Sequence, residues 1–250
     1  MNKIHYLHRK FLLILLLVSA VKVVKGQDFQ PYKSGIISYH GYAYPIVPGT
    51  EAWKNIGHNQ RVASMQLPAD TLQNISTARL LETCLYYSFN IDIFALDDKI
   101  GGFGIIKSQF NGYAELYQRT DFVQQLMNLY ASRNVAFINQ IELDYDRGLY
   151  AFDFHVMEFM LTDAALLASD SQATQIATLL LEKEEQKTLY SVYGSSFPTV
   201  IALAIGRCLQ RTNALSDYQG TTLQIFLQSG KLMDINDIEY IIDKAKNLKN

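Results

Sequence analysis

Beyond residue 26 this sequence has no cluster of lysine and arginine, and phosphate recognition needs one. The first 26 positions hold Lys3, Arg9, Lys10, Lys22 and Lys25 and no acid. Without them the chain carries 22 − 5 = 17 basic and 24 acidic residues, a net charge of 17 − 24 = −7. Nucleic acid is therefore not an expected partner. Histidine is also scarce: only His40, His58 and His155 follow residue 26, and none has a second histidine one helical turn away. The two-histidine zinc helix is thereby excluded. The two cysteines, Cys84 and Cys208, cannot build a four-thiolate zinc site. Both fall on apolar faces of expected helices. They read as two buried thiols, with a Cys84–Cys208 disulfide as the alternative in an oxidising compartment. No G-x-S-x-G is present, which removes the nucleophile elbow of the α/β-hydrolases. Gly101-Gly102-Phe103-Gly104 lacks the Lys-Ser/Thr ending of a phosphate loop. No metal and no cofactor is expected.

What is present begins at the N-terminus. After the basic start, residues 11–21 form an uncharged apolar run that Lys22 and Lys25 interrupt. A signal-peptide core spans about 7–15 apolar residues and a membrane helix about 20, so this is a signal peptide in form. Cleavage is expected after Gly26, or alternatively after Ala20; an uncleaved anchor is the other reading. No Cys follows either cut, so a lipid anchor is not expected. No later run is long enough for a membrane span. The chain reads as exported, periplasmic or extracellular.

Residues 27–49 read as an irregular aromatic arm. Tyr32, Tyr39, Tyr42 and Tyr44 alternate there with glycines and prolines that disfavour a helix. Only 35–44 hints at strand alternation. Helical spacing then dominates. Thr50 caps a segment over 51–65, Pro68 opens a short turn, and Ser76 caps a helix with Leu80, Leu81, Cys84 and Leu85 inward. The pair Gly101-Gly102 reads as a break, and Asn111-Gly112 as a helix stop. A stripe runs from Phe122 to Tyr130. Residues 148–170 read as one buried helix, a turn near Thr162-Asp163, and a second short helix. Residues 172–193 form another helix, whose Glu182 to Lys187 run reads as a solvated face. Ser196 and Pro198 open a further helix, and Asn236 to Glu239 resembles a capping box. The expected fold is all-α: stacked helix pairs, α-solenoid-like or an irregular array, forming a single domain over 50–250 with the arm laid across it.

Three pieces, YPIVPGTEAW (44–53), MQLPADTLQNISTARLLETCLYY (65–87) and FNGYAELYQRTD (110–121), resemble a group of largely uncharacterised exported helical proteins of Bacteroidetes. The resemblance covers near a third of the chain. It implies a bacterial envelope or secreted setting and carries no catalytic or binding residue.

Candidate chemistry is sparse. His155 and Glu158 are three apart and share a helix face, with Asp153 beside them and Asp144 upstream. This set is the candidate carboxylate or metal site; the alternative is a paired core histidine. Asp144-x-Asp146-x-Gly148 has too few oxygen ligands for a calcium loop and reads as a helix N-terminus with a capping Asp. Tyr39, Tyr42, Tyr44 and Trp53 are the candidate binding aromatics; the alternative packs their rings onto the helices. The function expected is a non-catalytic binding or interaction module for a protein or another envelope ligand. A hydrolase-like enzyme around Asp144–Glu158 and a structural part of a surface assembly are the alternatives.

Overall fold

The computed structural model describes residues 30–247 except 96, 195–197 and 219. The expected signal segment, both expected cleavage positions and Ser196 lie outside the described residues. Twelve α-helices and no strand occur among the described residues. They are α1 (Glu51–Lys54), α2 (His58–Ser64), α3 (Ala69–Asn74), α4 (Thr77–Leu85), α5 (Lys99–Gln109), α6 (Asn111–Leu116), α7 (Phe122–Ser132), α8 (Asp144–Leu167), α9 (Asp170–Lys187), α10 (Pro198–Arg211), α11 (Thr221–Ser229) and α12 (Asn236–Lys246). Short 3-10 turns cover Asn90–Ala95, Val135–Gln140 and Ser191–Tyr193. No described helix is long and apolar enough to cross a membrane.

The helices pack as stacked pairs around α8 and α10. In α10 every residue from Val200 to Leu209 is buried, and in α8 every residue from Asp153 to Thr162 is buried. Stretches buried on every side offer no solvent face, so these two helices form the centre, with their few polar side chains paired inside it. α7 packs on α8, α9 packs chiefly on α10, and α12 closes α10. Gly206 permits that closure: a Cβ there would stand 2.5 Å from Leu227 Cδ2 and 2.9 Å from Ile241 Cδ1. Buried Arg207 sends Nε and Nη2 to the carbonyls of Leu227 and Gln228, satisfying the C-terminal end of α11.

Local chemistry sets the helix starts. Thr50 Oγ1 accepts from Trp53 N, Ser76 Oγ accepts from Arg79 N, and Ser169 with Gln172 forms a full capping box.

Several expectations are corrected. The 51–65 segment is two short helices, parted at Asn55–Gly57. Gly101 and Gly102 lie inside α5, because Asp98 Oδ1 accepts the amides of Ile100 and Gly101 and caps it upstream. Asn111-Gly112 ends nothing further: α5 stops at Gln109 and α6 starts at Asn111. α8 runs unbroken through Thr162 and Asp163. Thr162 satisfies its hydroxyl on the Phe159 carbonyl, and Asp163 pairs with Lys107, so neither asks for a turn. α9 ends at Lys187, well short of 193. Residues 35–44 form no strand. At α12 there is no capping box: Asp234 Oδ1 accepts from Asn236 N, and buried Asp237 accepts from Tyr218 and Thr222.

Candidate functional site

The N-terminal half of α8 carries the acids singled out from the sequence and places each differently. Asp144 is fully outward and pairs with Arg147 at 3.2 Å. Asp146, one turn-half away, is fully buried: Oδ1 accepts from Lys33 N and Oδ2 from Ser34 N, both at 2.9 Å. Burial alone would raise its carboxyl, yet the Ser34 hydroxyl and the two amides hold it below the usual carboxylate range. Asp146 therefore pins the arm, and neither acid of D-x-D-x-G caps α8.

Asp153, two turns on, is the second pin. Its Oδ2 accepts from Tyr32 OH and, at 2.9 Å, from Tyr86 OH, with Arg133 Nη2 3.9 Å away. Oδ1 accepts no hydrogen bond among the described residues. Burial pushes the Asp153 carboxyl up to about 6, against the opposing pull of Arg133 and the two phenols. Two further ties hold the arm: Tyr42 N donates to Thr83 Oγ1, and Arg79 donates to the carbonyls of His40 and Gly41.

One turn further, His155 and Glu158 do meet, Nδ1 to Oε2 at 3.4 Å. Glu158 is completely buried, and its Oε1 accepts from Tyr130 OH and Lys187 Nζ, each at 2.7 Å. Lys187 also reaches Glu184 at 2.8 Å. Burial opposes charge on both, but Lys187 and His155 hold Glu158 below its usual value, and Glu158 holds Lys187 above its own. The pair is a charged, fully occupied cluster. Among the described residues no group of three His, Cys, Asp or Glu side chains is arranged to hold a metal ion.

Lys187 corrects the reading of Glu182–Lys187 as a solvated face. Lys183 is buried as well, with Nζ on the carbonyls of Ala131 and Arg133 at the end of α7. The signal was in the spacing. Ile176, Leu180, Lys183 and Lys187 continue one stripe, so the lysines follow the apolar face inward.

The aromatic candidates pack inward to different degrees. Tyr44 is buried against Tyr42, with ring centroids 4.9 Å apart. Tyr39 donates to the Tyr42 carbonyl and meets Tyr86 edge-on at 5.7 Å. Trp53 lies 5.9 Å from Phe89, with Arg61 over its ring. Cys84 and Cys208 are both buried free thiols in this structure.

A groove runs beside this half of α8. It consists of two adjoining cavities, of about 370 and about 480 Å3, that share Ile91, Tyr145, Leu149 and Phe152 as their common wall. The first is closed by Pro31 and Pro48 of the arm and by Tyr86 and Tyr87, and Asp153 is its one charged lining residue. The second is lined by Val192 and has Asp144 and His155 at its edge, while Glu158 lies behind His155. Ile91, Tyr145 and Val192 are 51, 52 and 40 % exposed, a large apolar surface to leave uncovered. Lys33 Nζ sits 4.0 Å over the Tyr145 ring. Chemically the first cavity offers apolar and aromatic walls and the Asp153 carboxylate, one oxygen of which has no donor among the described residues, while the second adds Asp144, paired with Arg147, at its edge. Set against protein-family models, curated proteins and solved structures, the chain shows no significant match.

Proposed function

We propose that this protein is a non-catalytic binding module of the bacterial envelope, exported through its N-terminal signal segment, as the resemblance to exported Bacteroidetes proteins suggests. Its ligand is apolar or aromatic, carries one hydrogen-bond donor, and occupies the groove beside α8. The observation that carries this reading is an apolar cavity of about 370 Å3 lined by Asp153, a carboxylate whose Oδ1 accepts no hydrogen bond among the described residues. Small-molecule sites have this composition: mostly apolar lining and a few polar groups that orient the ligand. The site is preorganised, since Tyr32, Tyr86 and Arg133 fix the carboxylate before any ligand arrives. Catalysis is the weaker reading because Glu158 and Lys187 satisfy each other in the interior and Asp144 is engaged at the surface. The test is calorimetric titration with 4-butylphenol and, separately, butylbenzene. Saturable one-site binding of the phenol, lost in Leu149→Asp and weaker for butylbenzene, supports the reading. No saturable binding, or equal binding by Leu149→Asp, overturns it.

A further inference from the structure

We propose that a second groove, between α4 and α7 under the arm, binds a neutral polyhydroxylated ligand, in chemical terms a segment of oligosaccharide. The cavity measures about 640 Å3 and shares no lining residue with the Asp153 groove. Its volume lies within the roughly 300–1,000 Å3 of small-molecule sites.

The argument is an account of unused hydrogen-bonding groups. Asn128 Oδ1 accepts from Gln124, which leaves its Nδ2 without an acceptor among the described residues. Asn134 Oδ1 accepts from Ala136 N, which leaves its Nδ2 likewise open. Gln125 Nε2 donates to Asp121, and its Oε1 accepts no hydrogen bond among the described residues. Among the described residues the Glu82 carboxylate accepts no hydrogen bond, and its ion-pair neighbour is His40, at 3.9 Å. Two open donor groups and two open acceptor groups therefore line one groove. A hydroxyl both donates and accepts, so a polyol can use all four, whereas an anion or a cation can use only half of them. Net charge disfavours an anion. Arg133, the one arginine of the lining, donates to Tyr86 OH and faces Asp153, so its charge is compensated elsewhere and the Glu82 carboxylate is left as the charge of the groove. Leu129 and half-buried Phe137 add an apolar wall on which the C–H face of a sugar ring can pack.

The test is to apply the purified protein to an array of neutral and acidic oligosaccharides and to titrate it calorimetrically with any glycan retained. A neutral glycan is expected to bind. Asn128→Ala and Gln125→Ala should each weaken it about tenfold, as expected for one lost hydrogen bond. Leu149→Asp, in the other groove, should leave it unchanged. Both substituted amides are solvent-accessible, and unchanged far-ultraviolet circular dichroism will confirm that the variants fold. Retention of no glycan, retention of acidic glycans only, or unchanged affinity in both amide variants overturns the proposal. The outcome is independent of the 4-butylphenol titration, which reads the Asp153 groove alone.

Discussion

Replacing Lys187 by methionine should destabilise the protein severely, although the sequence writes Lys187 into a run of charges. Glu158 has no exposed surface and Lys187 has 5 %, so water cannot take the place of the lost partner. The variant leaves a buried carboxylate with Tyr130 and His155 only. Breaking a buried pair from one side costs about 3–5 kcal/mol, against about 0–1 kcal/mol for a solvated surface pair. Urea unfolding at pH 7 separates these cases. Lys187→Met should lose several kcal/mol with an unchanged denaturant slope. The double variant Glu158→Gln/Lys187→Met should recover much of that loss, because a neutral amide still accepts from Tyr130 and strands no charge. The pH dependence has a defined sign. Glu158 is held below its ordinary 4.5, so its contribution is present above that pH and lost as pH falls through the lower folded value. Lys187 is held above its ordinary 10.5, so its contribution is present below that pH and lost as pH rises through the higher folded value. A Lys187→Met loss under about 1 kcal/mol would refute the reasoning, since that is the range of a surface pair.

Other consequences are open to simple assays. Asp146→Ala strands the amides of Lys33 and Ser34 and should cost about 1–3 kcal/mol, with faster proteolysis confined to residues 30–49. Cleavage there at the wild-type rate would show that the arm is held by other means. Asp153 has a folded value of about 6 against an ordinary 3.8, so burial disfavours its charge. Its contribution is full below 3.8 and falls as pH rises to about 6, and Asp153→Asn should flatten that part of the stability profile. Burial raises both thiols, Cys208 to about 12, so a thiol reagent should react with neither cysteine in the native protein and with both in denaturant. A mass spectrum showing a Cys84–Cys208 bond would contradict the separated thiols.

The helical class was legible because periodicity and caps agree along most of the chain. Thr50, Ser76 and Pro198 each stand where a helix begins. Asn111-Gly112 misled because a stop for α5 and a start for α6 fall within two residues of each other. Gly101-Gly102 misled because glycine's propensity cost of about 1 kcal/mol was overridden by the Asp98 cap and by the burial of Gly102 and Phe103. In the candidate site, the His155–Glu158 pair was legible from its spacing of three. The partners that decide its meaning were not, because Tyr130 and Lys187 come from α7 and α9, about 28 residues away on either side. Asp153 joined to Tyr32 spans 121 positions, a contact that no local pattern encodes.

The central claim is that the groove beside α8 receives a ligand and that Asp153 orients it. Backbone amide chemical-shift mapping during titration with 4-butylphenol tests this most directly. The account predicts saturable shifts confined to the 85–91 turn, Pro31 and Pro48 neighbours, and residues 145–153, with Glu82, Gln125 and Asn128 of the α4–α7 groove silent. Shifts scattered over the surface, or none at saturating probe, would contradict it.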